Sequence, residues 1–293
     1  MEGHMKRNNT RILILLLTTL LLFSSCIQPD LEETTTEPIE QGDVDKPVIG
    51  SYQTMQYQYL TNVNISWLTT NLNPSYLVLA NKSHDLGKHY SPSPLTVLTC
   101  SVLQPSRTYE LESRAAQALY AMLAEMQAAG VSDIMVASAY RSYEYQRSVY
   151  DSYIQQEMTY ISDEAHVVFG EAYIKANYLD KKIFKLSLED AHTVVQSYSA
   201  LPGQSEHQTG LCVDFATKSE DEPLTQAFEN TQAFAWLAKN AYKFGFILRY
   251  PKGMESITGY TYEPWHYRFV GREAATDIYV GNMTLEQYLE LTK

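Results

Sequence analysis

Positive charge is in short supply in this chain. Across 293 residues, 22 Lys and Arg stand against 34 Asp and Glu, a formal net charge of −12. Nucleic acid is therefore excluded as a partner, because phosphate binding needs a basic surface. Cysteine is scarce too, with Cys26, Cys100 and Cys212 the whole complement. Cys26 closes an apolar leader, which leaves Cys100 and Cys212 either to pair or, the plainer alternative, to be two small buried thiols. Long apolar runs are absent except for Ile12 to Phe23, itself broken by Thr18 and Thr19 and short for a bilayer span. No internal repeat is visible, and no linker divides the chain after about residue 50. What is plentiful is apolar and aromatic surface. Hydrophobic residues make up 45%, enough for a sizeable core, and tyrosine dominates the aromatics with 23 residues, as is common in ligand-binding clefts.

The leader carries its own signals. Lys6, Arg7 and Arg11 precede the apolar run, and the small residues Ser24 and Ser25 precede Cys26. This is the layout of an export signal. Phe23-Ser24-Ser25-Cys26 resembles a bacterial lipobox, where the chain is cut before a cysteine that then carries lipid, although Phe23 stands where Leu is more usual. Simple secretion and an uncleaved anchor are the alternatives. Residues 27–50 are rich in Thr, Glu, Gln, Asp and Pro and read as a flexible tether. The expected division is a leader over 1–26, a tether over 27–50 and one folded domain over 51–293. The protein is expected to be exported and held at the outer face of the membrane through Cys26.

Within the domain, strand and helix signals are mixed. Leu77 to Asn81 reads as a short strand and Arg114 to Ala129 as a helix stopped by Gly130. Ile134 to Ser138 is strand-like, and Tyr143 to about Glu157 reads as a helix. A further helix is expected over Leu188 to Tyr198, with Ser187 and Asp190 as a capping box. Leu211 to Phe215, Phe244 to Tyr250 and Tyr262 to Val270 are strand-like, Thr231 to Lys243 is helical, and Pro264 implies an edge or an irregularity. Regular βαβ alternation is missing, so the expected class is α+β with a small antiparallel sheet flanked by helices.

Three clusters carry chemistry: Ser205 to Asp214, Glu263 to His266, and Ser138 to Ser142 with Gln146 just beyond. Catalytic zinc takes three protein ligands and leaves one position open. His207, Asp214 and His266 supply such a set, with Gly210 permitting a tight path between the first two. Two imidazoles with one carboxylate suit zinc better than magnesium. Residues three apart on a strand face opposite sides, so Glu263 joins His266 only if the chain bends at Pro264. If it does, Glu263 is placed to carry a proton between water and a leaving amine. Taken one by one, each of these residues has an ordinary structural explanation; their joint occurrence, in this order, is what points to a site.

Ser205-x-His207-x-x-Gly210-x-x-x-Asp214 followed by Glu263-x-Trp265-His266 resembles the D-alanyl-D-alanine carboxypeptidase family typified by VanY. That family shares a fold with the hedgehog signalling domain. Ala139 to Tyr143 with Gln146 resembles its arginine motif, and Gly245 to Pro251 its late strand, so the likeness runs from about Ser75 to Gly271. The resemblance implies a hedgehog/DD-peptidase-like fold and a zinc carboxypeptidase that removes the terminal D-Ala from peptidoglycan stem peptides, a D,D-carboxypeptidase foremost. It implies His207, Asp214 and His266 as ligands of one zinc ion, Glu263 as general base and Arg141 as the cation at the developing oxyanion. Gln146, Ser205 and Tyr250 match positions lining the pocket for the terminal D-residue. Two departures stand out: Cys212 occupies a position where a small Ala is usual, and the segment 147–204 is long enough to add a helical cap over the cleft. Three alternatives stay open: an L,D-carboxypeptidase acting on tetrapeptide stems, a D,D-dipeptidase, and a catalytically silent zinc-bearing module that binds the wall.

Overall fold

The first well-defined helix shows how the chain organises its core. In the computed structural model, which describes residues 49–62, 66–69, 73–104, 107–159, 187–219 and 224–293, Glu112 ends a short strand and caps the helix after it. Its carboxylate accepts from Arg114 N at 2.8 Å and Ala115 N at 3.0 Å, satisfying amides that a helix start leaves open. The strands β1 (Leu95–Val97) and β2 (Glu110–Glu112) form an antiparallel pair, and helix α1 (Ser113–Ala128) leads directly out of β2. Ala115, Ala118, Leu119, Met122 and Met126 recur at helical spacing and are fully buried. Burying a side chain such as Leu119 or Met122 stabilises the fold by roughly 1.5–3 kcal/mol each. Gly130, at φ +80°, lies just beyond the end of the helix.

The next elements build the sheet that α1 covers. They are β3 (Met135–Ser138), helix α2 (Tyr143–Thr159), helix α3 (Leu188–Tyr198), β4 (Cys212–Ala216), helix α4 (Gln232–Asn240), β5 (Phe246–Leu248) and β6 (His266–Phe269). The four strands run antiparallel in the order β3-β4-β6-β5. β4 and β6 are the inner strands and every residue in them is buried. Side chains alternate across the pleat. Val213 and Phe215 with Tyr267 and Phe269 join the core beneath α1. Cys212 and Asp214, with His266 and Arg268 opposite them, therefore share the other face. Two further helices, α5 (Arg272–Val280) and α6 (Leu285–Leu291), pack on β5 through Ile247, Ala274, Ala275, Ile278 and Leu285.

Most sequence expectations stand, and the mixed antiparallel architecture is as read. The helix over 188–198 falls on the expected residues, with Ser187 Oγ accepting from Asp190 N at 3.1 Å. Cys100 and Cys212 are both free thiols. One reading needs correction and one is narrowed. Residues 77–81 are no strand: Pro74–Leu77 is a 3-10 turn, and Asn81 only bridges to His84. The reason is a buried guanidinium, since Arg268 Nη2 takes the carbonyls of Tyr76 and Val78, at 2.9 and 2.7 Å. Of the two readings of Pro264 the irregularity holds and the edge does not: it precedes an inner strand, in a turn closed by His266 N donating to Glu263 O at 3.2 Å. The leader, Cys26, the tether up to residue 48 and residues 160–186 of the inserted segment lie outside the described residues. Among the described residues, no helix is long and apolar enough to cross a membrane.

Gly245 opens β5 at φ +85°, and a Cβ there would lie 2.7 Å from the Phe269 ring and 3.0 Å from the backbone of Gly271 and Arg272. Strain at positive φ and collision with backbone act together. Gly245→Ala is expected to destabilise the fold by about 1–3 kcal/mol. A urea midpoint equal to that of the native protein would show that the β5–β6 approach is looser than these distances imply.

Candidate metal centre and active site

The site begins at a 3-10 turn, Glu206–Thr209, that ends in Gly210 at φ +68° and passes straight into β4. Gln208 ties this turn to the loop before it, donating to Gly87 O at 2.8 Å and Tyr90 O at 3.2 Å. A side chain at position 210 would meet Pro92 and Leu95 at about 3 Å, so the tight path into the strand depends on glycine. His207 is aimed by a second contact: its Nδ1 donates to Ala139 O at 2.6 Å. A carbonyl only accepts, so the proton is on Nδ1 and Nε2 is presented inward, 3.1 Å from Asp214 Oδ2.

Strand register supplies the rest. Asp214 and His266 are direct partners across β4 and β6. His266 Nδ1 lies 2.9 Å from Asp214 Oδ1, while its Nε2 meets Glu206 Oε2 at 3.2 Å. The two imidazoles stand perpendicular, with ring centres 5.0 Å apart. Asp214 is buried, and each of its carboxylate oxygens faces one of the imidazoles. Burial alone would push the Asp214 carboxyl up, but the two imidazoles hold it far below the usual carboxylate range. Burial and Arg141 act to lower His207, and burial to lower His266; Asp214 and then Cys212 nonetheless raise His207, and Cys212 and then Asp214 raise His266. A carboxylate that attracts positive charge this strongly, beside two nitrogens whose opposite sides are occupied, is a donor set that fits a divalent cation.

The bend before β6 does what the Glu263–His266 spacing requires. Glu263 N donates to Tyr250 O at 3.1 Å, and Glu263 Oε2 comes within 3.7 Å of His266 Nδ1. Burial raises the Glu263 carboxyl to about 7, with Asp214 adding to the rise and His266 opposing it. A carboxyl poised near neutrality both accepts and returns a proton. Arg141 follows β3, its backbone N–H donating to His207 O at 3.1 Å, and its buried Nε has no partner. Gln146 spends its amide N–H on Ala200 O at 2.7 Å and keeps a buried, unpartnered Oε1. The Tyr250 ring lies 4.9 Å from that of His266. Arg141, Gln146, Ser205, His207, Asp214, Tyr250, Glu263 and His266 all line one cavity of about 750 Å³. Helices α2 and α3 supply a wall of it through Tyr145, Val149, Tyr153 and Tyr198.

A family model described as VanY, D-alanyl-D-alanine carboxypeptidase, matches residues 108–272. The chain belongs to this family. YodJ of Bacillus subtilis (strain 168), a putative carboxypeptidase, is 33% identical over 243 residues, which is 82% of this chain and 77% of the relative. Among solved structures, the LdcB LD-carboxypeptidase is similar with a TM-score of 0.58 and 33% identity, over 74% of this chain and 87% of its own. The vancomycin-resistance D,D-pentapeptidase VanY from a VanB-type cassette, solved with Zn(II), gives a TM-score of 0.54 and 31% identity, over 73% of this chain and 99% of its own. The protein is a VanY-family carboxypeptidase.

Two features of this VanY-family site escape the sequence reading. The first is Glu206. Its carboxylate is fully buried and accepts from Arg249 Nε and Arg268 Nη1, each at 2.6 Å, as well as meeting His266. Burial would raise it, yet Arg249 and Arg268, followed by His266, hold it below the usual carboxylate range. Arg249 in turn grips Glu286 with two further bonds, at 2.9 and 2.6 Å. The position next to His207 was the one available signal, and the partners come from distant strands. The second is Cys212, whose sulfur forms a group with His207 and His266, all donor atoms within 4.8 Å of one another. Asp214, 3.1 Å from His207 Nε2 and 2.9 Å from His266 Nδ1, offers the two imidazoles a carboxylate beside that sulfur.

Replacing Glu206 by glutamine strips the charge that balances two fully buried guanidiniums. Glu206→Gln is expected to cost about 3–5 kcal/mol of folding stability, because it leaves a buried cation without its partner. Urea unfolding of the metal-free protein reads this out. A loss below about 1 kcal/mol would mean that Glu286 alone neutralises the pair.

Proposed function

We propose that this chain is a lipid-anchored zinc D,D-carboxypeptidase that removes the terminal D-Ala from peptidoglycan stem peptides. The observation that carries this reading is the meeting of His207, Asp214, His266 and Glu263 at one buried point, at the base of a cavity that Arg141 also lines. In this reading His207 through Nε2, His266 through Nδ1 and Asp214 hold one zinc ion. Bound there, zinc supplies a Lewis acid that acidifies water and polarises the scissile carbonyl. Glu263 takes the proton from the attacking water and returns it to the departing D-Ala amine. The Arg141 guanidinium faces the carbonyl oxygen as it gains negative charge. Gln146 Oε1, Ser205 and Tyr250 orient the terminal residue, and Tyr153 and Tyr198 border the preceding part of the stem. The chain divides in this reading into a leader over 1–26, a tether over 27–50 and the catalytic domain over 51–293. Lipid on Cys26 holds the protein at the outer face of the membrane, with the tether giving it reach into the wall.

The runner-up is an L,D-carboxypeptidase, favoured by the likeness to LdcB at a TM-score of 0.58. A silent wall-binding module fits less well, since such a protein has no need of a proton carrier beside the ion and a cation across from it.

Purified full-length protein offered pentapeptide and tetrapeptide stems side by side should release D-Ala mainly from the pentapeptide. Preference for the tetrapeptide would make the runner-up correct, and no release from either, with zinc bound, would leave the binding module. Glu263→Gln should retain zinc and lose about 10²–10⁴-fold in turnover. Near-native turnover in that variant would remove Glu263 from the chemistry. His207→Ala should lose zinc and turnover together, as measured by metal analysis. Cys26→Ala should move the protein from the membrane fraction to the soluble one; an unchanged distribution would rule out anchoring by lipid at this residue.

A further inference from the structure

β4 carries two donors, Cys212 and Asp214, separated by one residue. Positions two apart on a strand face the same side, so both look towards the imidazole pair. Cys212 is fully buried, and its sulfur lies with a donor nitrogen of each of His207 and His266 in a group no more than 4.8 Å across. A tetrahedral ion with bonds of about 2.0–2.3 Å sets its nitrogen and sulfur donors roughly 3.5 Å apart. The three side chains therefore need to close by little more than an ångström to share one ion. The carboxylate of Asp214 converges on the same nitrogens, 3.1 Å from His207 Nε2 and 2.9 Å from His266 Nδ1.

Resting on the zinc-centre reading of His207, Asp214 and His266, we propose that Cys212 is a sulfur donor at that centre, through which thiophilic divalent cations bind to His207, His266, Asp214 and Cys212 together. Forming the metal–sulfur bond releases the thiol proton to solvent, and the four side chains then fill a tetrahedral shell. An ion held by the two imidazoles and Asp214 alone leaves a position for water; one that also takes Cys212, as cobalt is expected to and the softer cadmium more strongly, loses it. The one residue thus makes the site selective between an open, working ion and a closed, idle one. Cadmium belongs to the second kind.

Cobalt(II) substitution in the full-length protein tests this through absorption alone. The native protein is expected to show visible d–d bands from bound cobalt together with a near-ultraviolet thiolate-to-cobalt charge-transfer band. Cys212→Ala and Cys212→Ser should keep the d–d bands and lose the charge-transfer band, and cadmium should bind them on the order of tenfold more weakly than native protein. Two variants guard against one failing to fold. Native d–d bands without charge transfer would overturn the sulfur donor and leave the metal centre standing. A charge-transfer band that survives in both variants would assign the sulfur to another cysteine and overturn it equally. No cobalt uptake by the native protein would overturn both readings.

Discussion

One carboxylate with no contact to solvent governs the centre of this molecule. Glu206 balances Arg249 and Arg268, both fully buried, and at the same time engages the outer nitrogen of His266. Desolvating two guanidiniums is costly, and only well-formed bonds offset it. Each bond Glu206 makes is also structural information. Arg268 reaches past it to the carbonyls of Tyr76 and Val78, and Arg249 reaches Glu286 on the last helix. Chain segments far apart in sequence are thus fastened to the point from which His266 is aimed. Shape and chemistry share one set of hydrogen bonds here.

The sheet completes the arrangement through register. Asp214 opposes His266 across an inner pair of strands, so the distance between the two donors is fixed by the ladder and not by side-chain choice. His207 approaches from a turn whose geometry depends on Gly210, and its ring is held by the carbonyl of Ala139. Glu263 arrives from the bend before the same strand that carries His266. A cage built on inner strands and closed by backbone contacts is stiffer than one built on loops, which is what a reaction needing fixed donor positions requires.

Much of the site was legible in the sequence, and the reasons are specific. His207, Asp214, Glu263 and His266 are residue types with narrow chemical uses, standing in a recognisable order. Helices such as Leu188–Tyr198 declare themselves through local capping, which needs no knowledge of the rest of the chain. What was missed is non-local. The apolar run from Leu77 looks like a strand until Arg268, some 190 positions later, takes its carbonyl groups. Glu206 was visible as a residue and not as a hub, since its partners come from β6 and the end of β5. Cys212 was visible only as a departure from the usual Ala, because spacing alone does not say what a sulfur atom faces.

Helices α2 and α3 pack on each other through a small apolar cluster of their own, made by Tyr150, Ile154, Ala191, Val194 and Val195. Their inner surfaces line the cavity, while the strands that carry Asp214 and His266 answer to a different cluster beneath α1. On the proposed function, peptide preference and ion retention rest on separate apolar clusters. Lineages of this protein are free to remodel the helical pair, and with it the range of peptides admitted, at little risk to the cage. Evolvability of this kind is written into how the apolar side chains are partitioned.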